Sequence, residues 1–182
     1  MELSNRKVAV LAENDYEDLE IWYPLIRLQE AGAEITVVGT GSAAAYSGKH
    51  GLVVKVDKNA DEVNARDFDA VIVPGGWAPD RLRRYPAVLK LVKEADSQGK
   101  VVGAICHAGW VLCSAGILKG RTATSVPAIK DDMINAGANW VDQSVVRDGG
   151  LVTSRTPADL PDFCRTLIAA IAAVKQPVLS KV

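Results

Sequence analysis

The feature that most constrains this sequence is an apolar segment interrupted by a cysteine and a histidine, VVGAICHAGWVLCSAGIL at residues 101–118. The β-branched and apolar residues at 101–105 predict a buried strand. Apolar residues return at helical spacing from 108 to 115, and Gly116 is a typical C-terminal stop for a helix. A strand, an abrupt polar turn and a helix together predict a nucleophile elbow, which presents a reactive side chain on a tight turn.

Cys106 occupies the turn of this predicted elbow, with the small residues Ala104 and Ala108 two positions away on either side. The following helix directs its unpaired N–H groups and the positive end of its dipole at the sulfur, which favours the thiolate. Free cysteines are also among the most buried residues, so an inert core cysteine at a strand end is the alternative interpretation. The adjacent His107 favours the reactive interpretation.

Composition narrows the class of protein. A chain of 182 residues predicts a single domain spanning residues 1–182 with a substantial core. With 21 basic and 22 acidic residues the net charge is −1, so we expect no nucleic-acid partner. Three cysteines without metal-ligand spacing and only two histidines give no reason to expect a metal or another cofactor. Reduced thiols, and the lack of an apolar leader or spanning segment, predict a cytoplasmic protein without a membrane partner.

Strands alternate with helices along the chain. Buried strands are predicted at residues 8–12 and 68–73, and further strands at 34–39 and 121–125. Hairpins are predicted at 46–56 and 141–154, helices at 19–32, 80–98, 128–136 and 160–174, and a loose tail after them. The stripe that defines the first helix consists of Leu19, Trp22, Tyr23, Leu25, Ile26 and Leu28. This alternation predicts an α/β sandwich with helices on both faces of a mostly parallel sheet.

A partial dinucleotide fingerprint, GTGSAA at residues 39–44, does not change this interpretation. The fingerprint has to open a helix after the first strand, whereas this segment leads into the predicted hairpin. We therefore expect no nucleotide cofactor.

Three segments follow the ends of predicted strands, namely the acidic loop at residues 13–17, the Gly75–Gly76 turn and the Cys106 elbow. The carboxyl ends of parallel strands meet at one edge of a sheet and form the ligand crevice there. The sequence therefore predicts that these segments converge on one site.

Six segments carry a resemblance to a known family: NDYED at 14–18, SGKHG at 47–51, FDA with PGG at 68–76, AICH at 104–107, KDDMINAG at 130–137 and TSRTPADL at 153–160. Together they resemble the ThiJ/PfpI superfamily, most closely its PfpI intracellular-protease branch. The resemblance implies a flavodoxin-like three-layer α/β/α sandwich. One departure is Ala108-Gly109-Trp110, where that branch usually has Gly-Pro and a polar residue, so Trp110 alters the pocket wall.

The resemblance also implies roles for individual residues. Cys106 is the nucleophile, His107 is its base or acid partner, and Glu17 approaches the sulfur. Backbone N–H groups of Gly76 and His107 form an oxyanion site. The residue that orients the histidine comes from a neighbouring subunit and matches Asp80, which implies a homodimer or a higher homo-oligomer. A charged Glu17 would raise the pKa of Cys106, whereas a carboxylic acid would donate a hydrogen bond to the thiolate, so we expect Glu17 to be protonated.

Three functions fit these residues. The first is a stress-response enzyme on reactive aldehydes such as methylglyoxal or their protein adducts, a glyoxalase or deglycase. The second is an intracellular cysteine peptidase acting on peptides, and the third is a non-enzymatic oxidative-stress sensor or chaperone in which Cys106 is oxidised. A pocket walled by Trp110 favours a small substrate. His107 and Asp80 argue against a pure sensor, because oxidation alone needs neither residue.

Overall fold

The computed structural model describes residues 1–174 and contains eleven strands and six α-helices. The strands are β1 (Lys7–Leu11), β2 (Glu34–Gly39), β3 (Ala45–Ser47), β4 (Val53–Lys55), β5 (Lys58–Asn59), β6 (Ala70–Val73), β7 (Val101–Ile105), β8 (Thr122–Ala123), β9 (Asn139–Trp140), β10 (Val145–Asp148) and β11 (Leu151–Ser154). The helices are α1 (Asp18–Glu30), α2 (Ala78–Leu82), α3 (Pro86–Ser97), α4 (Gly109–Ala115), α5 (Lys130–Asn135) and α6 (Leu160–Ala172).

The central sheet has seven strands in the order β10-β11-β7-β6-β1-β2-β5. All neighbouring pairs are parallel except the β10–β11 hairpin. Every residue of β6, β7 and β11 is buried, as parallel strands covered by helices on both faces require. Helix α1 packs against α6, and α3 packs against α4. The predicted flavodoxin-like α/β sandwich is therefore confirmed.

Two predicted elements differ from the structure. The single helix predicted at residues 80–98 is two helices, because Pro86 begins α3 and holds Tyr85 in an extended conformation that α2 cannot continue through. The strand predicted at 121–125 shrinks to β8, which pairs with β9 outside the central sheet. The β3–β4 hairpin confirms the predicted excursion after β2. The predicted C-terminal tail lies outside the described residues.

The carboxyl ends of β1, β6 and β7 lie side by side because these three strands are adjacent and parallel. Tyr16, in the loop after β1, forms a bridge with Gly76 after β6 and another with Gly48 in the β3–β4 hairpin. The predicted convergence of the acidic loop and the glycine turn is therefore confirmed. Within residues 1–174, no helix is long and apolar enough to cross a membrane.

Candidate active site

Cys106 stands on a strained turn directly after β7. Its φ of 62° lies in the left-handed region, which residues other than glycine rarely adopt. A short 3₁₀ turn, Cys106–Ala108, connects it to α4. The space around the turn is tight, since a Cβ added to Gly75 would lie 2.6 Å from the Cβ of Cys106. This geometry is that of a nucleophile elbow, as the sequence predicts.

The His107 ring faces the sulfur, with Nδ1 at 3.3 Å from Sγ of Cys106. Two indole rings flank it, Trp77 with a centroid distance of 5.4 Å and Trp110 with one of 5.1 Å. Burial, and then the positive charge of Lys49, lower the pKa of His107. The imidazole is therefore neutral at neutral pH and is available as a base beside the thiol.

The carboxyl group beside the sulfur belongs to Glu20 on α1, not to Glu17. Glu20 is 0% exposed, and its Oε2 accepts a hydrogen bond of 2.8 Å from the N–H of Gly75. A Cβ added to Gly75 would lie 2.4 Å from this oxygen and 2.6 Å from the Cβ of Cys106, so the two side chains meet at the glycine. The prediction that Glu17 approaches the sulfur is wrong.

Glu20 is a carboxylic acid at neutral pH. Burial raises its pKa to about 8, a rise that the N–H of Gly75 partly opposes and the charge of Glu17 reinforces. Among residues 1–174 its second oxygen, Oε1, is buried without a hydrogen-bond partner of standard geometry. That oxygen is free to carry the proton.

Burial, and next the charge that Glu20 carries when ionised, raise the pKa of Cys106. The backbone N–H groups of Gly76 and His107 approach the sulfur and act in the opposite direction. The sequence predicts that the helix start favours the thiolate, but burial acts against this effect and raises the pKa of the Cys106 thiol. Cys106 therefore keeps its proton until a base removes it, and His107 is a base within reach.

The glycine turn is locked to the loop after β1. Gly76 has a φ of 74°, and a Cβ there would lie 2.4 Å from the backbone nitrogen of Glu17. The next residue, Trp77, donates its backbone N–H to the carbonyl of Asp15 at 2.8 Å. Only glycine fits at this close approach, and the turn aims its N–H at the site.

Glu17 lies at the rim of the site. Its Oε2 accepts a bond of 2.9 Å from Nζ of Lys49, and its Oε1 lies 3.6 Å from Nε2 of His50. Asp18 anchors the same hairpin by accepting the backbone N–H groups of His50 and Leu52, each at 2.8 Å. Ligand atoms of Glu17, Asp18 and His50 lie within 4.8 Å of one another, but these backbone bonds already explain the position of Asp18.

The remaining predicted residues are divided between the site and the surface. Trp110 lies beside His107, as expected of the pocket wall. Asp80 lies in the first turn of α2 and pairs with Arg84 of the same chain. The described chain thus brings together Cys106, His107, Gly76 and Trp110, and it does not place Asp80 on His107.

Sequence reasoning missed two residues of the site. Glu20 shares the buried face of α1 with Pro24 and Leu28, at a spacing of four residues, and a carboxylate in that row is a detectable signal. Trp77 directly follows the Gly75–Gly76 turn and is 55% exposed. A large aromatic residue next to a glycine turn at the strand ends could have been noted.

The protein is thus a flavodoxin-like α/β protein with a cysteine on a nucleophile elbow. A histidine and a buried carboxylic acid lie beside the sulfur. The sequence model of the DJ-1/PfpI family matches residues 6–170, and the chain belongs to that family. The predicted ThiJ/PfpI resemblance is therefore confirmed.

Similar proteins support this assignment. The chain is 47% identical over 162 residues to Deglycase PH1704 of Pyrococcus horikoshii, covering 89% of this chain and 97% of that protein. It is 41% identical over 161 residues to the putative cysteine protease YraA of Bacillus subtilis, covering 88% and 95%. A two-domain Anabaena variabilis protein with DJ-1/ThiJ/PfpI-like and ferritin-like domains superposes with a TM-score of 0.90 at 42% identity, over 97% of this chain and 53% of that one. The names of these relatives indicate that the family includes enzymes.

Proposed function

We propose that this protein is a cysteine-dependent enzyme that acts on small α-oxoaldehydes such as methylglyoxal, or on their protein adducts, as a glyoxalase or deglycase. The observation that carries the proposal is a thiol placed between a base and an acid: His107 Nδ1 at 3.3 Å from Sγ of Cys106, and the buried acid Glu20 on the other side of Gly75. The name of the deglycase relative supports the same reaction class.

In the first step, His107 takes the proton of the Cys106 thiol as the sulfur attacks the aldehyde carbon. The N–H groups of Gly76 and His107 stabilise the negative charge that develops on the aldehyde oxygen. The imidazolium then returns its proton to that oxygen. The product is a neutral hemithioacetal, so no net charge is left in a buried site.

In the second step, His107 removes the hydrogen of the former aldehyde carbon as a proton, and Glu20 delivers its own proton to the neighbouring carbonyl oxygen. The resulting enediol takes the proton of the imidazolium at the second carbon and returns its first hydroxyl proton to Glu20. The product is a thioester of lactate on Cys106. Water hydrolyses it to lactate and the free thiol, so one methylglyoxal and one water give one lactate.

A peptidase is the second candidate, because the same nucleophile and base could attack a peptide carbonyl and because one relative is named a putative cysteine protease. In that reaction His107 would pass the thiol proton to the leaving amine. The protonated Glu20 has no role in peptide hydrolysis, and this favours the aldehyde reaction.

Asp80 belongs to the proposal as a residue acting between subunits. It is half-exposed at the start of α2 and reachable from outside the chain. We propose that a homodimer or higher homo-oligomer brings Asp80 of one subunit to His107 of the next. Mixing inactive Cys106→Ala with inactive Asp80→Ala subunits should restore up to about half of the activity per mixed dimer, since one of its two sites is intact. Demonstrated subunit exchange without recovery would rule this arrangement out.

The test of the main proposal compares lactate formation from methylglyoxal with hydrolysis of unfolded casein. Wild type should form lactate, Cys106→Ala should form none, and the matched control Cys113→Ala should retain activity. Cys106-dependent hydrolysis of casein without lactate would identify a peptidase instead. Failure in both assays, with Cys106 oxidised by dilute peroxide, would leave the sensor function.

A further inference from the structure

We infer that Trp77 and Trp110 form an aryl-binding subsite beside Cys106, and that the enzyme prefers α-oxoaldehydes with a neutral aromatic substituent to methylglyoxal. The inference rests on the proposed function and names the substrate class of the same site. Phenylglyoxal, in which a phenyl group replaces the methyl group of methylglyoxal, is the simplest such substrate.

The three rings near the sulfur form a continuous aromatic wall. The centroids of Trp77 and Trp110 are 6.4 Å apart with an interplanar angle of 30°, and His107 lies 5.4 and 5.1 Å from them. Because His107 itself is 3.3 Å from Sγ of Cys106, the wall begins one ring away from the reacting carbon. A planar substituent on the neighbouring carbonyl carbon can therefore reach the indoles.

Within one subunit, the wall is held in place and one of its rings is open to solvent. Trp110 donates its Nε1–H to Asp132 at 2.9 Å, which fixes its ring. Trp77 is anchored through its backbone to Asp15 at 2.8 Å, while its side chain remains 55% exposed. A pre-positioned aromatic surface loses little conformational entropy on binding, and an exposed indole gains from being covered.

The rim carries charges of both signs beside the rings. The guanidinium of Arg83 lies over the Trp110 ring at 5.9 Å from its centroid. Lys49 lies close enough to His107 to lower its pKa. Carboxylates offset these positive charges, since Glu17 pairs with Lys49 and Asp132 accepts the indole N–H of Trp110. The rings rather than the charges therefore distinguish one substituent from another.

The chemistry is unchanged by the larger substituent, since phenylglyoxal and water give mandelate through the same steps. The subsite should therefore appear as a higher kcat/KM for the aromatic aldehyde than for methylglyoxal. We expect kcat/KM for phenylglyoxal to exceed that for methylglyoxal by about tenfold, or about 1.4 kcal/mol, a contribution within reach of aromatic packing together with burial.

The experiment measures this ratio of kcat/KM values, with kcat and KM resolved, in wild type and three variants. Trp77→Leu should remove most of the preference, chiefly through the KM for phenylglyoxal, and Trp77→Phe should keep part of it. The control Tyr23→Leu removes an aromatic side chain of α1 that is 39% exposed, and it should leave the ratio unchanged. No preference in wild type, or an equal loss for both aldehydes in Trp77→Leu, would overturn the inference.

A binding measurement separates this inference from the proposed function. In Cys106→Ala, which cannot turn over, mandelate should quench tryptophan fluorescence at lower concentration than lactate, and adding Trp77→Leu should abolish the difference. If neither aldehyde reacts with wild type but mandelate still binds in this way, the proposed reaction is wrong and the aryl subsite stands. Equal binding of mandelate and lactate would overturn the subsite.

Discussion

Glu17 and Glu20 lie about one helical turn apart at the start of α1, but their carboxyl groups have different environments. Glu17 is at the rim, where Lys49 binds its carboxylate at 2.9 Å. Glu20 is buried beside Cys106, where burial raises its pKa to about 8. The same residue type is therefore an ion-pair partner in one place and a proton donor in the other. What separates them is the direction that each side chain takes from the helix.

The charged residues at the rim nevertheless affect the pKa values of the buried groups. Glu17 helps to raise the pKa of Glu20, and Lys49 helps to lower the pKa of His107. In both cases burial is the larger cause. We therefore expect changes in the interior to alter the reaction itself, and changes at the rim to shift only its pH dependence.

The largest effect should follow the loss of the interior acid. Glu20→Leu removes the proton donor and should lower kcat/KM for methylglyoxal by about 10²-fold or more, the usual contribution of general acid–base catalysis. Glu20→Gln should lose less, because an amide still donates a hydrogen bond to the sulfur and accepts one from Gly75. Glu17→Gln, the matched rim variant, should stay within roughly fivefold, as expected for a partly exposed ion pair. A greater loss in Glu17→Gln than in Glu20→Leu would reverse the comparison.

The second-largest effect should be a difference in reactivity between the three cysteine thiols. Limited alkylation at neutral pH should modify Cys106 on the order of tenfold faster than the other thiols, because His107 can take its proton. Cys164 is 1% exposed, and Cys113 contacts the carbonyl of Asp132 instead of a base. Peptide mapping identifies the modified residue, and preferential labelling of Cys113 would remove the elbow from the mechanism.

The free energy of unfolding should depend on pH because of Glu20. Its folded-state pKa of about 8 lies above the ordinary 4.5, so the native protein keeps a proton that the unfolded chain loses. The free energy of unfolding should therefore fall as pH rises between these values, by up to about 1.4 kcal/mol per pH unit from this group. Urea unfolding at several pH values should show that Glu20→Gln lacks this contribution and that Glu17→Gln retains it. Equal slopes in all three proteins would mean that Glu20 is ionised.

The smallest effect should come from the rim cation. Lys49→Gln removes a positive charge near His107, so the pKa of His107 should rise and the acid limb of the kcat/KM profile should move to higher pH by a few tenths of a unit. Lys49→Arg keeps the charge and should leave the limb in place. A shift toward lower pH, or the same shift in both variants, would contradict this electrostatic role.

Comparing α1 with its predicted stripe shows why the acid was misplaced. The stripe included Leu19, Tyr23 and Ile26, which are exposed, whereas Glu20 and Pro24 lie on the buried face. Apolar periodicity predicts that this segment is a helix. Which face of the helix is buried depends on the elements that pack against it. A row of apolar residues does not by itself say that a carboxylate at the same spacing is buried with them.

The sequence alone determined the alternation of strands and helices along the chain and the elbow at Cys106. It also determined the glycine turn that lies next to this elbow. These features depend on local rules, namely apolar periodicity, small residues at a crowded turn and the convergence of parallel strand ends. The family followed from motifs spread along the whole chain.

Only the tertiary structure decided which acid lies beside the sulfur, which protonation states the site favours, and that Trp77 joins Trp110 beside His107. Burial set the pKa directions of Glu20 and Cys106, and burial depends on every element packed around a group rather than on its neighbours in sequence. Trp77 joined His107 because β6 and β7 are adjacent in the sheet, although the chain separates the two residues by α2 and α3.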